Sequence, residues 1–223
     1  MTGSAHTMTS DGPYGPEQFQ HEFNIGPAAM ARVNVFVALL EKWQAKINLV
    51  SANTLPDLWQ RHLRDSAQLL KFLPEQRTPW LDIGSGAGFP GLVLALLQED
   101  ARQAAQLHLV ESDQRKAIFL QEVIRATAIS AQVHAQRIEQ LKLTQIGGPA
   151  RLITARALAP VHQILQLTEP VAGPETLYLL LKGQDVDDEL TLAAKYRKMT
   201  VIQHPSWTHP AGKVLLITEV ARV

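Results

Sequence analysis

The residues of this chain best spaced for chemistry lie between Asp82 and Gly91. An apolar run, Trp80-Leu81-Asp82-Ile83, leads into Gly84-Ser85-Gly86-Ala87-Gly88-Phe89-Pro90-Gly91, which holds four glycines in eight residues. Apolar residues at helical spacing follow at once, at Leu92, Val93, Leu94, Leu96 and Leu97. A strand that turns into a helix through glycines lets the backbone approach a ligand with no side chain in the way. Glu111 stands twenty residues beyond Gly91, at the end of the apolar run Leu107–Val110. A carboxylate there can accept both hydroxyls of a ribose, or it can complement the dipole of the helix that follows. Gly86, Gly88 and Gly91 also satisfy the G-x-G-x-x-G spacing of dinucleotide loops.

Asp82 weighs between the ligands this loop could take. A dinucleotide brings a pyrophosphate to the turn, and a carboxylate two residues before the first glycine opposes that anion. S-adenosylmethionine (SAM) has no phosphate, and its ammonium and sulfonium are cationic, so Asp82 suits it better. The plainer alternative is a structural glycine turn with Asp82 as a local cap. Arg156 follows a fourth apolar run, Leu152–Thr154. Its five donors in a rigid fork suit a phosphate, a carboxylate or the O6/N7 edge of guanine, unless it pairs with a surface acid. In Arg61-His62-x-x-Asp65-Ser66, His62 has the chemistry of a base, and Asp65 three residues on can fix its tautomer. A lone histidine is more often structural, so this cluster reads as a wall or hinge of the site. Arg61, His62 and Arg64 form a basic group, and Lys182 of Lys182-Gly183-Gln184 ends a fifth run, where it either reaches an RNA phosphate or faces water.

Strands and helices in alternation must position these groups. Strands are expected at Trp80–Ile83, Leu107–Val110, Ala131–Ala135, Leu152–Thr154, Leu177–Leu181, Thr200–Gln203 and Val214–Val220, with helices at Asp113–Thr127, Val161–Thr168 and Asp185–Lys195. This order predicts an α/β fold: a mostly parallel seven-stranded sheet with helices on both faces and a closing hairpin. Gly84–Gly88, Glu111, Arg137–Glu139 and Arg156 all follow strand ends, so they should converge on one sheet edge. Upstream, Val33, Phe36, Val37, Leu40, Trp43 and Ile47 mark a helix over 28–50, and two more helical stretches follow from about Thr54 and about Ser66. The chain divides into a mobile tail over 1–26, a helical extension over 27–78 and a core over 79–223.

The 223 residues can bury a full core as one sizeable domain. Cysteine is absent, which excludes disulfides, thiolate metal sites and a cysteine nucleophile. No apolar run is long enough to span a membrane and no signal peptide opens the chain, so a cytoplasmic protein is expected. Lys+Arg and Asp+Glu both total 21, giving a formal net charge of zero, which argues mildly against avid binding to naked nucleic acid.

The glycine loop resembles that of class I SAM-dependent methyltransferases, whose fold is Rossmann-like. Trp43-x-x-x-Ile47-Asn48-Leu49-Val50, Arg61-His62-x-x-Asp65-Ser66, the Asp82–Gly91 loop with its Pro-Gly ending, Arg156-Ala157 and Leu181-Lys182-Gly183-Gln184 occur in this order. Together they are similar to the bacterial 16S rRNA guanine-N7 methyltransferases, once called glucose-inhibited division protein B, from about Phe36 to Val220. The resemblance implies SAM as methyl donor and N7 of a guanine in 16S rRNA, guanine 527, as acceptor. It places SAM on Gly84, Phe89, Ile138, Glu139 and Arg156, with Glu111 on the ribose, Ile138 packing on the adenine and Glu139 near its amino group; Asp82, Gly86 and Gly88 join this cofactor set from the reading of the loop itself. Arg156 is also the candidate for the reaction itself, as base or as RNA-positioning group, and Arg61, His62, Arg64 and Lys182 are the RNA contacts. Many enzymes that methylate exocyclic amines carry an Asn-Pro-Pro type motif after the fourth strand. Its absence here fits N7, which has a lone pair and no proton. The implied partner is 16S rRNA in a folded small subunit or its precursor, with no metal and a monomeric enzyme. Two other functions use the same elements: a SAM-dependent methyltransferase of a small molecule or protein, and an NAD(P)-dependent oxidoreductase.

Overall fold

The computed structural model describes residues 13–98 and 107–223. The first part of the expected tail, residues 1–12, lies outside them. Seven strands form one sheet in the order β3-β2-β1-β4-β5-β7-β6. They are β1 (Trp80–Ile83), β2 (Leu107–Val110), β3 (Ala131–His134), β4 (Ala150–Arg156), β5 (Ala172–Lys182), β6 (Arg197–Pro205) and β7 (Lys213–Arg222). The first five run parallel, and β7 is antiparallel to both β5 and β6. The order reverses between β1 and β4, so a crevice opens at the carboxyl ends of these strands.

The period-2 alternation of β1 shows how the layers are built. Trp80 belongs to the core under α2 (Pro27–Gln44), α4 (Gly91–Leu96) and α5 (Gln114–Thr127), while Leu81 and Ile83 belong to the opposite core. That second core lies under α6 (Leu143–Ile146), α7 (Val161–Thr168) and α8 (Val186–Ala194). α5 starts where Asp113 accepts hydrogen bonds from the amides of Arg115 (2.8 Å) and Lys116 (3.2 Å), and stops at Ala128 in the left-handed region.

Three expectations for the N-terminal part need correction. The tail does not run to residue 26, because α1 (Pro16–Glu22) buries Phe19 against Trp59 and Phe23. One phenylalanine in a polar stretch carries too weak a period to be read as a helix. The next helix ends at Gln44 rather than near Val50, because the Gln44 side chain takes over the backbone of the following turn. Its Oε1 accepts from Leu49 N and Val50 N at 3.0 Å each, and its Nε2 donates to Val50 O at 2.9 Å. The stretch after Thr54 is not two regular helices. It is a π-helical segment (Trp59–Arg64) running through α3 (Asp65–Ala67) into a 3-10 turn (Gln68–Phe72). The widened turns aim His62 and Asp65 toward the sheet, and such bulges occur often at functional sites.

Candidate active site

The glycine loop is held from behind and from the side. Asp82 is fully buried, and its Oδ1 accepts from Gly91 N (3.1 Å) and from the Thr154 hydroxyl (2.7 Å). A Cβ on Gly91 would stand 2.4 Å from that of Asp82, so only glycine lets the loop close on the carboxylate. Burial pushes the Asp82 carboxyl up to about 6, against the pull of its hydrogen bonds. Asp82 lines neither cavity described below. The expectation of direct contact with a cationic ligand is therefore corrected: the carboxylate caps the start of α4. Gly88 and Phe89 are also buried beneath the loop, not exposed in a cavity wall.

In front of the loop lies a cavity of about 280 Å³ lined by Gly84, Gly86, Glu111, Arg137, Ile138 and Glu139 together with Ala157 and Leu158. Glu111 bridges its two sides, accepting from Gly86 N and from Asp113 N at 2.8 Å each. A carboxylate offers about four lone-pair sites, so two remain for a diol. Gly84 sits at φ +61°, and a Cβ there would meet Leu158 Cδ1 at 2.4 Å. The strand ends thus bring together Gly84, Gly86, Glu111, Ile138 and Glu139 as the spacing predicts.

Ala157 also lines a second cavity of about 390 Å³, walled by Arg61, His62, Asp65, Arg156, Lys182 and the β6–β7 turn at Ser206, Thr208 and His209. Arg156 organises it. Its guanidinium lies over the Phe89 ring (4.8 Å) and donates to Arg61 O (3.1 Å), Asp65 Oδ2 (3.2 Å) and His62 Nδ1 (2.6 Å). Because a guanidinium only donates, His62 Nδ1 accepts, and the Nε2 proton goes to Thr54 Oγ1 at 2.8 Å. Burial first, then the charges of Arg156 and Arg61, push His62 down to about 3. The imidazole is neutral, stacked on Phe89 with centroids 5.0 Å apart. Asp65 does not fix its tautomer; Arg156 does.

Three of the four expected RNA contacts are committed elsewhere. His62 is enclosed as described. Arg64 forks onto Glu22 of α1 (2.8 Å) and donates to Trp207 O (3.2 Å), which straps α1 and the hairpin together and takes Arg64 out of the cavity wall. Lys182 does not face open water, since its ammonium pairs with Glu189 (2.6 Å) and donates to Ala159 O (2.7 Å). Arg61 alone stays exposed at the cavity rim. Sequence reasoning missed Thr54, Thr208 and Glu189: Thr208 meets Asp65 across 143 residues, and Thr54 and Glu189 meet His62 and Lys182 at separations that no local motif marks.

Among known proteins, a family model described as rRNA small subunit methyltransferase G (GidB) matches residues 29–213. The ribosomal RNA small subunit methyltransferase G of Parvibaculum lavamentivorans is 45% identical over 212 residues, covering 94% of this chain and 92% of that protein. That of Rhodospirillum rubrum is 44% identical over 209 residues, covering 93% and 98%. Among solved structures, a SAM dependent methyltransferase from Aquifex aeolicus superposes with TM-score 0.53 at 15% identity, covering 73% of this chain and 93% of the other. TYW2 of M. jannaschii, solved with AdoMet, gives 0.54 at 13% identity, covering 80% of each. These two likenesses show the fold, that of the class I SAM-dependent methyltransferases. The match in sequence over nearly the whole length goes further, and the chain belongs to the ribosomal RNA small subunit methyltransferase G (GidB) family.

Proposed function

We propose that this protein methylates N7 of a guanine in 16S rRNA, the guanine at position 527, with SAM as methyl donor. The observation that carries the reading is the pair of cavities meeting at Ala157 on the carboxyl edge of the sheet, in a chain of this family. The cavity before the glycine loop fits SAM: Glu111 for the ribose, Ile138 and Leu158 as apolar walls for the adenine, and the backbone of Gly84 and Gly86 close against it. Bound there, SAM would supply an electrophilic methyl group for transfer to the acceptor nitrogen.

The second cavity fits an acceptor that needs no deprotonation. His62 has both ring nitrogens in hydrogen bonds and is held neutral, and Asp65 is bonded by Arg156, Gln68 and Thr208. Neither is poised to remove a proton. Guanine N7 attacks through its own lone pair, so alignment and electrostatics suffice. Three hydrogen bonds use three of the five Arg156 donors, which leaves two to orient the base edge. This makes Arg156 a positioning group and not a base.

Cytoplasmic location and a monomeric enzyme belong to the same proposal. Among the described residues no helix is long and apolar enough to cross a membrane, and no cluster of metal-ligating groups occurs. The test is transfer of labelled methyl from SAM to small ribosomal subunits, with the modified nucleotide mapped. Label on guanine N7 at one site supports the reading; label on another atom or in protein overturns it.

A further inference from the structure

With His62, Arg64 and Lys182 committed to internal partners, Arg61 is the one expected RNA contact left at the acceptor cavity, and further cations for RNA must lie elsewhere. A groove of about 360 Å³ opens at the same sheet edge, between Gln44–Asn48 at the end of α2 and Asp113, Arg115 and Lys116 at the start of α5. The side chains of Lys46 and Lys116 have no acidic partner among the described residues. Arg115 is 70% exposed and only 3.7 Å from Asp113. Asp113, the groove's single acid, turns its Oδ1 into the α5 amides. Three cations therefore face one carboxylate, a local excess of positive charge in a chain whose overall charge is zero.

We propose that this groove holds the sugar–phosphate backbone of the RNA beside the target nucleotide, which rests on the function proposed above. Continuity supports it. Lys116 also lines the cavity before the glycine loop, which in turn meets the acceptor cavity at Ala157. The three hollows follow one another along the sheet edge. From β4 to β2 is two strand spacings, about 10 Å, a distance that adjacent nucleotides of one strand can span.

Rigidity supports it as well. Gln44 locks the turn through its three hydrogen bonds, and Ile47, Leu49 and Val50 are buried while Lys46 and Asn48 stay exposed. Trp43 Nε1 donates to Glu122 Oε2 at 2.8 Å, bolting α2 to α5 and fixing the spacing of the walls. The groove thus presents two ammonium groups, a guanidinium and a carboxamide from a preformed frame, which suits contacts that position a backbone without reading its sequence.

The test compares Lys46→Glu/Arg115→Glu with Lys195→Glu/Lys198→Glu, which changes net charge equally on residues outside all three hollows. RNA affinity is measured without turnover across a salt series, and rRNA methylation separately. The groove variant should bind RNA about tenfold more weakly, with a salt slope shallower by about 1.5 from two lost phosphate contacts. Its SAM affinity should stay at the wild-type value, and Lys46→Arg/Arg115→Lys should restore RNA binding. Wild-type RNA affinity in the groove variant, or the same loss in both charge-reversed pairs, overturns the proposal. RNA bound through the groove by a wild-type protein that methylates no rRNA would overturn the function reading and leave the groove standing.

Discussion

Two buried titratable residues near the loop act on stability in opposite directions. Asp82 has a folded pKa of about 6, above its unfolded value, so the folded chain binds a proton more readily. Its contribution is fully present below about pH 4 and is lost as pH rises through about 6, a change of at most about 3 kcal/mol. His62, held down to about 3, gives stability that is present above about pH 6.5 and lost as pH falls toward 3. Asp82→Asn removes the first effect and keeps an oxygen for Gly91 and Thr154. The melting temperature of wild type relative to this variant should rise as pH falls from 6 to 4; a constant difference would show that Asp82 does not titrate there. Arg156 is the other residue to probe. Arg156→Lys keeps the charge but loses the fork that reaches Asp65 and His62 together. It should lower rRNA methylation by about tenfold, one lost charged hydrogen bond, with a smaller change in SAM affinity. Arg156→Ala should let the His62 pKa rise by NMR, since the guanidinium charge is the second cause of its depression after burial.

At the scale of elements, the loop and the turn after α2 depend on single residues. Gly84→Ala meets both the φ of +61° and Leu158 Cδ1, so SAM affinity should fall about tenfold or more. Leu158→Ala added to it should recover only part, because the contact is relieved and the left-handed backbone is not. Full recovery, measured by calorimetry, would assign the whole effect to the contact. Gln44→Leu removes three hydrogen bonds to the backbone of the turn, a loss of about 2 to 3 kcal/mol. The melting temperature should drop by several degrees, and binding in the Lys46 groove should weaken with it.

The whole molecule is electrically balanced, and its structure shows where that balance is spent. Arg64, Arg156 and Lys182 are ion-paired within the fold near the reactive edge, and Arg197 and Arg222 share Glu169 at the other end of the sheet, which leaves Arg61 and the groove cations Lys46, Arg115 and Lys116 open to RNA. A grip this limited suits a substrate already shaped by other molecules. Methylation should therefore be faster on a folded small subunit or a protein-bound precursor than on deproteinised rRNA at the same salt. Equal rates on both, in a direct turnover comparison, would contradict this.

The sequence by itself determined the strand and helix alternation from Trp80 onward, because apolar period and glycine turns are local signals. Trp80–Ile83, Leu107–Val110 and Val161–Thr168 match the observed elements to the residue. It also determined which strand ends meet, since parallel order places Gly84, Glu111, Ile138 and Arg156 at one edge. Only the tertiary structure decided what the charged residues do. Asp82 became a cap, Arg64 a strap to Glu22, Lys182 half of an ion pair with Glu189, and His62 a neutral ligand of Arg156. Each of these depends on a partner the chain brings near only on folding, from 7 residues away for Lys182 to 94 for His62. A charge announces its sign locally, but whether it is free for a substrate is settled by what folds against it.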